Sequence, residues 1–226
     1  MSSAERSDVP GWGLFDTWHA LIDAGDPRFT LLCSVLEVQE PLARLERSIT
    51  VSLWNMQRHY STYSLRSVVT FDASLRRKGV EQRMILPRRV VERRSPLASS
   101  LEKGLRLAPV AHPLLICDHR LIMVGDSTGD TIHTSTAPDI VAHAVHFYDA
   151  LWRAAVPAVP KGEDPPFTRR MVDVAILLVD GATDREIART LGISERTVSA
   201  DVREMSKRLG ARSRAHAIAL ISGAES

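Results

Sequence analysis

Apolar side chains recur at two different periods along this chain, and the change of period divides it. Trp12, Phe15, Trp18, Leu21 and Ile22 fall three or four residues apart, the spacing of one helix face, and Gly25-Asp26-Pro27 ends the run. A second helical pattern occupies residues 36–47, with Pro41 tolerated in a first turn. Ile49, Val51 and Leu53 then alternate with Thr50, Ser52 and Trp54, which predicts a strand over 49–54. Residues 65–78 predict a helix stopped by Gly79, 80–86 a strand, and 90–103 another helix. Short strands are expected at 105–108, 114–117, 121–124 and 131–134, with turns at Asp118-His119-Arg120 and 125–130. An amphipathic helix over 140–152 closes the region. Strand, helix, strand and meander predict a mixed α/β sheet with flanking helices.

Residues 157–166 break both periods. Pro157, Pro160, Pro165, Pro166, Gly162 and three charges in ten residues predict a semi-rigid linker. The chain therefore divides into a helical segment (1–48), an α/β domain (49–156), the linker (157–166) and a small all-α domain (167–226). In the last of these every apolar run is helical. Thr168 is a candidate N-cap, Val172, Ala175, Ile176 and Val179 form one face, and Gly181 ends the helix. Thr183 and Glu186 have capping-box spacing, Ile187, Ala188 and Leu191 bury a short helix, and Gly192 supplies a tight turn. Ser194 caps a third helix with Val198, Val202, Met205 and Leu209 on its inner side. A short helix, a glycine turn and a capped longer helix make the helix-turn-helix arrangement, whose second helix enters the major groove of DNA.

Charge sharpens that reading only locally. The 226-residue chain carries a formal net charge of +2, which permits a nucleic-acid partner without requiring one. Between Thr183 and Arg214, however, eight basic side chains face five acidic ones. Arg196, Ser199, Ala200 and Arg203 share the outer side of the third helix, where an arginine can fork onto guanine and a small residue admits a thymine methyl. Lys207 and Arg208, further along, suit phosphate. Cys33 and Cys117 lie far apart in apolar runs and are expected as buried free thiols. No stretch approaches a membrane span or a signal sequence, so a soluble cytoplasmic protein is expected.

Residues 167–221 resemble the LuxR-type (NarL/FixJ-like) helix-turn-helix family. The resemblance is carried in order by Phe167-Thr168-x-Arg170, Gly181, Glu186-Ile187-Ala188, Leu191-Gly192-Ile193-Ser194, Thr197-Val198, Lys207-Arg208-Leu209-Gly210 and Ser213-Arg214-x-x-Ala217. It implies that Arg185 and Thr197 hold phosphates and that Ser199, Ala200 and Arg203 face bases. Ser194, Arg196 and Lys207 complete the DNA-binding set. It also implies a transcription regulator that dimerises through the fourth helix on two half-sites of double-stranded DNA. Three positions depart from the family: Met171 where Glu is frequent, Ser199 where Lys is usual, and Asp201 where His or Asn is usual. Asp201 is expected on the groove side, repelling phosphate or accepting from cytosine.

The α/β region resembles a phospholipase-D-like half of the kind found in TrmB-like regulators. The resemblance rests on the element order, on Gly79-Val80-x-x-Arg83-x-Ile85-Leu86-Pro87 and on Leu114-Leu115-Ile116-Cys117-Asp118-x-Arg120. The enzymes of that family use His-x-Lys-x4-Asp. Here His112 aligns with the histidine, but Leu114 stands at the lysine and His119 at the aspartate, so no cation remains to hold a phosphoryl group. The expectation is a non-enzymatic sensing or dimerisation domain without a cofactor. Three rival functions stand beside it. A response regulator controlled by phosphorylation would need an acidic pocket, yet the strand at 49–54 is followed by Asn55-Met56-Gln57-Arg58. An appended hydrolase would need the missing lysine. A protein-interaction regulator acting on the transcription machinery would make RNA polymerase a partner. An unidentified small molecule is a further candidate ligand. Other features read as structural are His143 and His146 one turn apart, the basic run Arg83, Arg88, Arg89, Arg93 and Arg94, and the Trp54, Met56 and Tyr60 cluster.

Overall fold

A computed structural model describes residues 11–59, 74–92 and 104–222, which fall into two compact units. The first is built on a sheet of order β1-β7-β6-β5-β2-β3-β4-β8. Its strands are β1 (Thr30–Ser34), β2 (Ser52–Met56), β3 (Glu81–Leu86), β4 (Leu105–Leu107), β5 (Leu114–Cys117), β6 (Leu121–Gly125), β7 (Thr131–Ser135) and β8 (Val156–Pro157). The pair β2–β3 is parallel, whereas β2–β5, β5–β6, β6–β7 and β7–β1 are antiparallel. The sheet is mixed with flanking helices, as the pattern of apolar residues predicted.

Two helices cover one face. From α1 (Gly13–Asp23) come Phe15, Trp18 and Ile22, and from α4 (Pro138–Ala154) come Ile140, Val141, Ala144, Phe147, Tyr148 and Leu151. They enclose Trp54, Met56, Ile85, Leu114, Ile116, Ile122 and Val124 of the strands. Gly11 makes the entry to α1 possible: its φ is +113°, and a Cβ there would come within 2.9 Å of the Phe147 ring. Between these helices in sequence lie α2 (Gln39–Ser48), preceded by a 3-10 turn at Val35–Glu37, and the short α3 (Arg88–Glu92). Most of the helices expected at 65–78 and 90–103 lies outside the described residues.

Two expectations change. Of the helical segment expected at 1–48, the described residues 11–48 are not all helical: β1 lies within them and pairs with β7, and α1 belongs to the core of the sheet. The strand expected at 49–54 begins instead at Ser52. Asp118 explains why. Its carboxylate accepts the backbone N–H groups of Thr50 (3.0 Å), Val51 (2.8 Å) and Ser52 (2.8 Å). The peptides of 50 and 51 therefore point at a side chain, and Val51 is 63% exposed. Asp118 and His119 are the central residues of the turn in the three-residue β5–β6 connection, both with left-handed φ near 50°, closed by Arg120 N–H donating to the Cys117 carbonyl at 2.9 Å. Cys117 is buried and its thiol is pushed up to about 12 by burial, reinforced by Asp118, whereas Cys33 on the edge strand is only half-buried. Among the described residues no helix is long and apolar enough to cross a membrane.

The second unit has its own core, in which Phe167, Met171, Val172, Ala175, Ile187, Val198, Val202, Met205 and Ile221 converge. Its helices are α5 (Arg169–Val179), α6 (Asp184–Leu191), α7 (Glu195–Arg208) and α8 (Arg214–Ile221).

Candidate nucleic-acid interface

Each helix of the second unit starts where a side chain can take an otherwise unpaired backbone N–H. Thr168 accepts from Met171 N–H (3.3 Å) and Ser213 from His216 N–H (3.1 Å). Thr183 and Glu186 form the reciprocal box, with Glu186 N–H on Thr183 Oγ1 (3.3 Å) and Thr183 N–H on Glu186 Oε2 (2.8 Å). Ser194 accepts from Thr197 N–H at 3.1 Å, and the two hydroxyls lie 2.8 Å apart. Between α6 and α7 the chain turns at Gly192, whose φ of +66° is left-handed. Ile193 N–H then bonds the Ala188 carbonyl (3.0 Å), which fixes the angle at which α7 leaves.

The geometry of α7 follows from its period. Val198, Asp201, Val202 and Met205 are buried, while Arg196, Ala200, Arg203 and Lys207 form one exposed stripe at spacings of four, three and four. Within the described residues Arg196, Arg203 and Lys207 have no hydrogen bond or ion pair, so their donors are available to a partner. Arg185, exposed on the first turn of α6, is likewise uncommitted. Ser194 and Thr197 sit at the N-terminus of α7, where backbone N–H groups and the helix dipole favour an anion.

Three side chains stand otherwise than expected. Asp201 does not face the groove: it is 3% exposed and lies against α5, with Arg170 Nε on Oδ2 (2.6 Å) and Nη2 on Oδ1 (3.0 Å). The attraction raises the Arg170 guanidinium above its ordinary pKa. Ser199 is half-buried and donates to Asp184 Oδ2 at 2.8 Å, so its proton is already used. Arg208 is held by Glu204 (2.7 Å) and by the Pro166 carbonyl, which leaves Lys207 as the uncommitted cation of that turn. Asp184 was not singled out from the sequence. It also accepts from Arg214 Nη1, a partner thirty residues away that no local spacing reveals. Burial acts to raise the Asp184 carboxyl, but the bonds from Arg214 and Ser199 outweigh it and hold the carboxyl below the usual range.

In the sheet unit Leu114, Trp54, Met56, His112 and His119 are in structural use. Leu114 is buried in the core, His119 is exposed at the β5–β6 turn with its ring edge on Trp54, and His112 stacks on Phe15 (centroids 4.9 Å apart). Trp54 and Met56 are core residues, and Tyr60 lies outside the described residues. His143 and His146 are exposed on α4. Of the basic run, Arg83 is held by its own neighbours. Arg83 lies 4.2 Å over the Trp54 ring and pairs with Glu81 (2.7 Å) and Asp149 (3.2 Å). Arg88 approaches Glu92 at 3.9 Å, and Arg93 and Arg94 lie outside the described residues.

Residues 165–221 match the family model described as bacterial regulatory proteins, luxR family, so this segment carries a LuxR-type helix-turn-helix domain. No curated protein matches the sequence. Among solved structures, the chain is similar at 12% identity to TrmBL2, described as an archaeal chromatin protein with a novel mode of DNA binding (64% of this chain, TM-score 0.43). This chain spans 60% of the length of that one. NucT from Helicobacter pylori is similar at 11% identity, over 57% of this chain and 98% of its own (TM-score 0.44). VqmA of Vibrio cholera, in a ligand–DNA complex, matches at 24% identity over 51% of this chain and 52% of its own (TM-score 0.27). None of the three is close enough in structure to bear on function.

Proposed function

We propose that the chain is a sequence-specific DNA-binding transcriptional regulator that reads the major groove with α7. The observation that carries this reading is the exposed stripe of Arg196, Ala200, Arg203 and Lys207, uncommitted to other described side chains, on a helix whose opposite side anchors the core. Arg203 has the reach and the forked donors to take guanine O6 and N7, and Ala200 leaves room for a thymine methyl. Arg196, Arg185 and the N-terminal turn of α7 with Ser194 and Thr197 hold phosphates, and Lys207 holds another further along. Ser199 stands outside the base-reading set because Asp184 already takes its proton. The protein acts as a homodimer on two half-sites about one turn of DNA apart. The sheet unit is a non-catalytic sensing or association domain: its Leu114 occupies a core position where a phosphoryl-holding lysine would be required.

The test is selection of duplexes from a random-sequence pool with the full chain, followed by titration of the selected site. A recurring, two-fold-related site supports the reading, and retention of every sequence alike removes it.

A further inference from the structure

The surroundings of position 199 differ from the open stripe beside it. Ser199 precedes Ala200 on the flank of α7 that faces α6, and a single carboxylate meets it there. Asp184 Oδ2 takes the Ser199 hydroxyl at 2.8 Å while Oδ1 takes Arg214 Nη1 at the first residue of α8. One side chain thus ties the starts of α6 and α8 to the reading helix. The tie is not sealed in the core: the side chains of Asp184 and Arg214 are 24% and 42% exposed. Both line an open cleft of about 380 Å³ with Thr183, Leu178 and Ile218. Arg214 is therefore within reach of a polyanion once its carboxylate partner is removed.

Resting on the proposed DNA reading, we infer that Asp184 is an affinity- and specificity-setting residue that withholds two groups from DNA. The first is the Ser199 hydroxyl, whose one proton is committed, so that position cannot donate to a base edge. The second is the Arg214 guanidinium. Paired with a carboxylate it is locally neutral, so it displaces no counterions when DNA approaches, and the carboxylate itself repels phosphate. Asp184 acts by position and touches neither base nor phosphate. Its effect is to make binding weaker and less salt-dependent, and to leave discrimination to Arg203 and Ala200.

The experiment is a fluorescence-anisotropy titration of the full-length protein on its selected site and on a scrambled duplex, from about 50 to about 200 mM salt. The variants are Asp184→Asn, Asp184→Asn with Arg214→Gln, Arg214→Gln alone, and Ser199→Ala, with thermal melts recorded for each. Asp184→Asn is expected to bind both duplexes about 3–10-fold more tightly, with the logarithmic salt slope steeper by about one phosphate contact. Adding Arg214→Gln returns the slope to that of the parent. Arg214→Gln alone, which leaves the Asp184 carboxylate without its cation, does not steepen the slope, and Ser199→Ala alone leaves base preference unchanged. These last two variants test the inference even if Asp184→Asn does not fold. A folded Asp184→Asn variant with unaltered slope overturns it, as does a steeper slope in Arg214→Gln or a changed base preference in Ser199→Ala. A parent protein that fails to distinguish the two duplexes refutes the DNA reading itself, whereas a discriminating parent with an indifferent Asp184→Asn variant refutes only the role of Asp184.

Discussion

The carboxylate of Asp201 and the guanidinium of Arg170 meet in a two-pronged ion pair, at 2.6 and 3.0 Å, that fastens the reading helix to the first helix of its domain. The carboxylate is buried and the arginine is half exposed, with 53% of its side chain accessible. The pair thus sets the roll of α7 and keeps a negative charge off the stripe that faces outward.

Removing the cation leaves that carboxylate buried without its partner. Arg170→Ala is expected to destabilise the C-terminal domain by about 1–3 kcal/mol, less than for a fully buried pair because solvent reaches the arginine side. Urea unfolding followed by circular dichroism checks it, and a change within error of zero would show that α7 is held by its apolar contacts alone.

Much of this domain was legible in the sequence, and the failures have physical causes. Thr183, Glu186, Gly192 and Ser194 mark helix ends through local hydrogen bonding, which sequence spacing encodes directly. The charge of Asp201 suggests the outer side, but its period does not: at three residues from Val198 and four from Met205 it falls on the inner side. The ties of Ser199 and Arg214 to Asp184 span 15 and 30 residues and leave no periodic trace. In the sheet unit, β1 escaped because Leu31 (60% exposed) and Leu32 (39%) do not alternate between core and solvent. The start of β2 leaves no mark in the alternation because the Asp118 carboxylate, 66 residues from Ser52, takes the place of a neighbouring strand.

Base reading and phosphate holding separate by substitution. Arg203→Ala is expected to cost roughly 1–3 kcal/mol at the selected site and to relax preference at one base pair. Lys207→Ala weakens every duplex alike and lowers the salt slope by about one. Competition titrations with single-base variants of the site distinguish the two patterns.

The two ends of α6 predict a graded pair of stability effects. Thr183→Ala removes the hydroxyl half of the capping box and costs about 1 kcal/mol. At Gly192 a Cβ meets nothing within 4 Å, so Gly192→Ala is strained through its φ of +66° alone, at about 1–2 kcal/mol. Chemical denaturation of both variants measures these costs, and a neutral Gly192→Ala would mean that the turn relaxes to another conformation.

Acid stability of the sheet unit depends in part on Asp126. Burial tends to raise its carboxyl, but bonds from Thr131, Gly129 and Thr128 outweigh it and lower the pKa to about 2. Because the folded value lies below the ordinary carboxylate value near 4, the contribution is full above that pH and fades as pH falls toward about 2. Asp126→Asn is expected to flatten the pH dependence of the unfolding midpoint across that window. An unchanged curve would assign the acid sensitivity to other carboxylates.

The most direct test of sequence-specific reading by α7 is the ratio of dissociation constants for the selected site and a scrambled duplex of equal length, at one fixed salt concentration. The expected ratio is at least about 1,000 for the parent chain and falls by roughly 5- to 150-fold in Arg203→Ala. Equal affinity for the two duplexes, or a ratio indifferent to Arg203→Ala, would contradict the account.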